Sequence, residues 1–174
     1  MEKGMSSMET RTKKLTFLAL CTSLAMVLSY VEMLIPPLST AVPGVKMGLA
    51  NIVIVFVLYK FDAISAAAVS AVRIILTFLL FGSALTFAYS AAGAVLSLAV
   101  MVLLKRTEKF STVGVSVAGG VFHNAGQIGM AILIMKTSAI GYYLPVLAVS
   151  GTVSGILVGA AAVCVLKNLR DVKI

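Results

Sequence analysis

LTFLALCTSLAMVLSYVEMLI, residues 15–35, is the stretch on which the fold turns. It follows a short basic head, MEKGMSSMETRTKK. A charged head before an apolar run is also the pattern of a secretory signal. A signal core, however, is only about 7–15 residues, whereas about 20 residues are needed to cross the hydrocarbon of a bilayer. Residues 15–35 have the second length, so they are expected to form a retained first membrane helix.

The rest of the chain repeats that chemistry. Of its 174 residues, 60% are hydrophobic and 11% charged. Soluble domains carry about 25% charged residues, so this chain lacks the polar surface to cover a soluble globule. Five further apolar runs are expected to be helical: 47–59, 63–81, 84–104, 113–135 and 144–166. The second is short enough to cross only part of a bilayer. PPLSTAVPG (36–44), KFD (60–62), KRTEKFS (105–111) and KTSAIGYYLP (136–145) separate the runs with proline, glycine and polar residues that do not continue a helix. The expected fold is a six-transmembrane-helix all-α bundle over residues 15–166. A basic head (1–14) and a basic tail (167–174) flank it.

The net charge of +8 belongs to topology rather than to nucleic acid. With the N-terminus in the cytoplasm, Lys3, Arg11, Lys13, Lys14, Lys60, Lys105, Arg106, Lys109, Lys167, Arg170 and Lys173 all face inward. Only Lys46 and Lys136 face outward, and Arg73 lies within the membrane. That asymmetry obeys the positive-inside rule and places both termini inside. Cys21 and Cys164 stand alone in apolar runs, without metal-ligand spacing.

Against this background GGVFHNAGQIGMA, residues 119–131, is unusual. It carries the one histidine of the chain, and His123 and Gln127 share a helix face at i, i+4 with Asn124 beside them. Ionisable groups within a membrane are costly and usually face a cavity. Arg73, eleven residues beyond Asp62, sits roughly 16 Å deep at 1.5 Å per residue. Asn51, Glu32 and Tyr89 come from other helices at comparable depth, with Lys46 at the outer mouth. Together these residues are expected to line a polar pocket that opens outward. An alternative for Arg73 is a buried pair with Glu32. Gly151, Gly155 and Gly159, four apart in SGTVSGILVGA (150–160), suit close helix packing, either within the chain or against a partner.

Several chemistries have no residues to carry them. No glycine-rich loop ends in Gly-Lys-Ser/Thr, so ATP binding of that kind is not expected. Asp62 and Asp171 are the only aspartates, too few for paired carboxylate–metal sites. No zinc spacing and no Ser/His/Asp set is present, so neither a metal nor a catalytic residue is assigned.

Four blocks in order carry a family resemblance: PGVKMGLANIVIVFVLYKFD (43–62), AVRIILTFLLFG (71–82), FAYSAAGAVLSLAVMVLLKR (87–106) and FSTVGVSVAGGVFHNAGQI (110–128). They resemble the Gx transporter family, many of whose members are labelled heptaprenyl diphosphate synthase component I. That family is similar in size and layout to the substrate-binding S components of energy-coupling factor (ECF) transporters. The resemblance implies a bacterial plasma-membrane protein that binds a small molecule from outside. It also implies docking on a transmembrane T component driven by two ATPase subunits. An Ala-x-x-x-Ala contact motif of such proteins is matched here by Ala19 and Ser23, with serine at the second place. The label implies instead a non-catalytic membrane component of polyprenyl diphosphate or quinone metabolism. A third implication is a role in flavin- or quinone-linked electron transfer, with that group as ligand. The function expected is a non-enzymatic substrate-binding subunit of an uptake transporter. Its ligand would be held by Arg73, His123, Asn124, Gln127, Asn51, Tyr89, Glu32 and Lys46.

Overall fold

The structure, a computed structural model, describes residues 2–34 and 48–169, with side chains from residue 11 onward. Six α-helices follow one another: α1 (Glu2–Leu34), α2 (Asn51–Lys60), α3 (Ala63–Phe81), α4 (Ala84–Arg106), α5 (Thr112–Met135) and α6 (Leu144–Asn168). A 3-10 turn, Ser138–Tyr143, joins α5 to α6. No strand occurs among the described residues, and five helices are long and apolar enough to cross a membrane. The protein is therefore an all-α, multi-pass membrane protein. Helix α2 is the short one, as its run of sequence suggested. Helix α1 is already helical at Glu2 and continues unbroken through the basic head into the apolar run. Alanine-free as it is, that head contains no proline or glycine pair that would stop a helix.

Polar residues set the remaining ends. The Asp62 carboxylate accepts the Ser65 N–H at 2.7 Å and caps α3. Ser83 and Thr86 cap α4 reciprocally, and Ser111 accepts from the Gly114 N–H at the start of α5. Lys136, at φ 49°, turns the chain out of α5 in the left-handed region.

The shortest helix is the most enclosed. Residues Val53 to Leu58 of α2 are all buried, and α2 packs on α6, α3, α1 and α5. A helix apolar on every side has no face suited to water and belongs inside. Side chains tie its two ends. The Lys14 ammonium meets the Asp62 carboxylate at 2.8 Å, Lys60 donates to the Leu169 carbonyl at 2.8 Å, and Lys105 donates to the Leu58 carbonyl. The start of α1, the α2–α3 turn, the end of α4 and the end of α6 therefore share one lysine-rich end of the bundle. At the other end of α2, the Gly48 N–H donates to the Glu32 carboxylate.

Glycines decide which helices approach closely. A Cβ on Gly120 would overlap the carbonyl oxygen of Gly151, and one on Gly151 would lie 2.8 Å from the carbonyl oxygen of Gly120. A Cβ on Gly126 would lie 2.7 Å from the Ala92 carbonyl oxygen. The α5–α6 and α4–α5 contacts are thus backbone against backbone, the packing that small residues permit in lipid. The Gly151, Gly155 and Gly159 row of α6 is spent on α5 of the same chain. Helices α3 and α4 meet far more sparingly, and an apolar groove of about 340 Å³ lies between them.

Candidate binding site within the membrane

Arg73 projects from α3 toward α1, where Nη1 donates to the Ser29 hydroxyl at 3.1 Å. The side chain is only 6% exposed. Its Nε and Nη2 have no hydrogen-bond partner, and neither has the Thr77 hydroxyl one turn further along α3. Arg73 and Thr77 line a crevice of about 20 Å³ together with Ser29, Ile74, Phe78, Gly82, Thr86, Phe87 and Ser90. A guanidinium carries five donors and no acceptor, so its unpaired N–H groups call for an anionic or carbonyl oxygen. Glu32, one turn beyond Ser29 on α1, is close enough to attract Arg73 electrostatically. Its carboxylate nevertheless bonds the Gly48 N–H, and Arg73 bonds Ser29.

A second polar group surrounds Gly48, the residue at φ 84° that turns the chain into α2. Such a φ is open to glycine without a Cβ penalty. A Cβ there would meet the Asn51 amide nitrogen at 3.0 Å and the His123 ring at 3.5 Å. The Gln127 amide nitrogen pairs with His123 Nε2 at 2.8 Å. This pair lies on one face of α5, four residues apart. His123 also abuts Gly93 of α4, where an added Cβ would lie 3.0 Å from the ring. Helices α2, α4 and α5 thus converge on one histidine, and Glu32 reaches the same point from α1 through Gly48.

The remaining residues singled out in the sequence lie elsewhere. Asn124 turns to the opposite side of α5 and donates to the Leu147 carbonyl of α6 at 2.7 Å. Tyr89 is buried with Ile128, Ala131, Ile140 and Leu147 in an apolar cluster beside the 3-10 turn. Lys46 lies outside the described residues. Ala19 and Ser23 are on the exposed face of α1, where the Ser23 hydroxyl donates to the Ala19 carbonyl at 3.1 Å. Among the described residues no group of three or more His, Cys, Asp or Glu is placed to hold a metal ion.

Ser29 and Thr77 are site residues that sequence reasoning passed over. Their signal was spacing. Thr77 is four residues after Arg73 and Ser29 three before Glu32, so each shares a helix face with an intramembrane charge.

A family model, described as heptaprenyl diphosphate synthase component I, matches residues 21–165. The chain belongs to this family. The match covers both polar groups, from Ser29 through Gln127, and every helix that positions them. No curated protein and no solved structure matches the chain. In this component I family member the arrangement offers one fixed positive charge and hydroxyls from three helices (α1, α3 and α4). A histidine stands nearby, already engaged with glutamine. That set suits recognition of an anion by charge and hydrogen bonds.

Proposed function

We propose that the protein is the ligand-binding membrane subunit of a multi-component system and takes up an anionic small molecule at Arg73. The observation that carries this reading is the buried guanidinium, with no hydrogen-bond partner at Nε and Nη2, on a residue that lines a crevice with Thr77. A buried charge without full pairing is expensive, and intramembrane charges are retained mainly for ligands, ions or relays. The preferred system is an uptake transporter of the ECF kind in the bacterial plasma membrane. The chain would be its S-component-like subunit. A transmembrane T component would dock on the exposed Ala19/Ser23 face, and two ATPase subunits would supply energy. The absence of a nucleotide loop in the sequence is consistent with that division of labour.

The family description favours a second reading, in which the chain is a non-catalytic membrane component of polyprenyl diphosphate or quinone metabolism. Condensation of prenyl diphosphates draws on carboxylate-held Mg²⁺, and the whole sequence has six acidic residues. The catalytic carboxylates would then come from a partner.

The test is to purify the protein and its Arg73→Met variant side by side and to identify bound small molecules by mass spectrometry. An anionic compound retained by the first and lost from the folded variant supports the reading. The same compounds, in the same amounts, on both would overturn it.

A further inference from the structure

We propose that one water molecule is bound inside the bundle where α2, α4, α5 and α6 meet, held by the side chains of Asn51, Ser116 and Ser154. A cavity of about 10 Å³ lies there. Asn51 of α2, Met101 of α4, Ser116 and Gly119 of α5, and Ser154 and Gly155 of α6 are among its walls. No residue lines both this cavity and the crevice of Arg73, so the site stands whether or not an anion binds at Arg73. One water needs about 10–15 Å³ of such space. The cavity therefore admits a single water and no organic ligand.

The walls supply the hydrogen bonds that a water needs. Ser116 is 2% exposed, and its hydroxyl has no hydrogen-bond partner. Its side chain is turned toward α6, since a Cβ on Gly159 would lie 3.0 Å from the Ser116 Cβ and 3.4 Å from its Oγ. On α6 the Ser154 hydroxyl donates to the Gly151 carbonyl at 3.2 Å, which leaves its oxygen able to accept. The Asn51 amide brings a carbonyl oxygen as well as two donors. A water between them accepts the Ser116 proton and donates to the Ser154 and Asn51 oxygens. Those three bonds are the usual number for a buried water. A buried hydroxyl left without a partner costs its full desolvation, and bound water is a common way to satisfy such a group.

Other occupants fit the walls less well. No aspartate or glutamate lines the cavity, and a cation buried without a counter-charge is far costlier than a neutral molecule. An apolar occupant would leave the Ser116 hydroxyl as it is. Glycines keep the space from closing over. A Cβ on Gly119 would lie 2.6 Å from the Met101 sulfur, and one on Gly155 would lie 2.9 Å from the Ser116 carbonyl oxygen. Asn51 also stands against Gly48, whose added Cβ would lie 3.0 Å from the Asn51 amide nitrogen. A water held by Asn51 thus ties the turn that enters α2 to the α5–α6 pair. Ser97 is the contrast. Its hydroxyl is likewise buried without a partner, yet Ser97 does not line the cavity.

Radiolytic labelling reads bound water directly, because an X-ray pulse splits the water and the hydroxyl radical oxidises the side chain beside it. The protein is exposed in phosphatidylcholine nanodiscs in sodium-free choline chloride, and the products are read by mass spectrometry. Met101 is 1% exposed and lines the cavity, so its conversion to the sulfoxide is expected. Tyr89, buried in an apolar cluster, should stay unlabelled. Melting curves supply the second readout. Ser116→Ala should lower Tm by about 2–4 °C, the shift that one hydrogen bond gives a chain of this size. Ser116→Ala and Ser154→Ala together should cost less than the sum of the two, because one water serves both. Ser97→Ala should not lower Tm. An unlabelled Met101 in the unaltered protein overturns the proposal, and that measurement decides alone if the serine variants fail to fold. A Tm unchanged or raised by Ser116→Ala overturns it too, as do strictly additive losses in the double variant. A Tm higher in sodium chloride than in choline chloride at equal ionic strength, with the difference abolished by Ser116→Ala, would assign the cavity to a sodium ion and overturn the water.

Discussion

Arg73 gives one guanidinium hydrogen to the Ser29 hydroxyl, 3.1 Å away on α1, and keeps Nε and Nη2 unpaired in the membrane interior. Two helices are joined here by one hydrogen bond where the donor could make several. A residue kept only to fasten α3 to α1 would be expected to saturate its fork. Arg73→Met should therefore cost little stability. It removes a neutral-acceptor hydrogen bond, about 0.6 kcal/mol on average within membranes, and also removes a desolvated charge. A loss of about 3–5 kcal/mol, the cost of breaking a buried ion pair, would show instead that Glu32 and Arg73 act as a structural pair. Denaturant titration followed by circular dichroism separates the two results.

Asn124 has the opposite character. It was expected beside His123 in a ligand pocket, yet its amide bonds the Leu147 carbonyl across the α5–α6 contact. Asn124→Ala should destabilise the bundle by about 0.6–1.7 kcal/mol and leave ligand affinity per folded molecule unchanged. Parallel melting and binding curves on the purified variant check both halves.

The glycines of α5 should divide sharply. Gly120→Ala places a methyl group on the Gly151 carbonyl oxygen, so α5 and α6 must move apart. Overpacking of this kind costs about 1–3 kcal/mol. Gly129 has nothing within 4 Å of an added Cβ. Gly129→Ala should be neutral, or stabilising by up to about 1 kcal/mol from helix propensity. Equal losses in the two variants would contradict the packing described for α5 and α6.

The Lys14–Asp62 tie should make stability depend on pH in a narrow acid window. The hydrogen bond from Lys14, then that from the Ser65 N–H, pulls the Asp62 carboxyl down from 3.8 to about 2. A group whose pKa is lowered by folding contributes stability above its unfolded value. That contribution is complete above about pH 4 and disappears as pH falls toward 2. Both side chains are nearly half exposed, so the pair is worth only about 0.2–1 kcal/mol. Asp62→Asn keeps a good helix cap and should remove this part of the acid dependence. Unchanged acid dependence in that variant would mean the tie contributes nothing.

Both termini are predicted to face the cytoplasm. The ties of Lys14 to Asp62 and of Lys60 to Leu169 put the start of α1 and the end of α6 at one end of the bundle. The distribution of basic residues selects the inner side. Cysteines introduced at Lys3 and Val172, in a chain with Cys21 and Cys164 replaced by alanine, should resist an impermeant thiol reagent in intact cells and react after lysis. Labelling of either from outside would reverse the topology.

Class and element order were legible in the sequence because lipid imposes them residue by residue. A run near 20 apolar residues has to be a helix, since no other single segment satisfies its own backbone in hydrocarbon. Proline, glycine and lysine clusters end such runs locally, so α3, α4, α5 and α6 began and ended within a few residues of expectation. The short run that became α2 announced a short helix by length alone. Arg73, His123, Gln127, Asn51 and Glu32 stood out because each is costly where it lies. What the sequence could not determine was which of them meet, since depth says nothing about direction around a helix. Only the tertiary structure turned Asn124 toward α6 and Tyr89 into an apolar cluster. It also set Arg73 on Ser29 rather than among the α5 residues. The physical reason is the glycine contacts. Gly120 on Gly151 and Gly126 on Gly93 fix the rotation of α5, placing His123 and Gln127 on one side and Asn124 on the other. Contacts between α3 and α4 are far sparser, and those two helices keep a groove open beside Ile74 and Phe87.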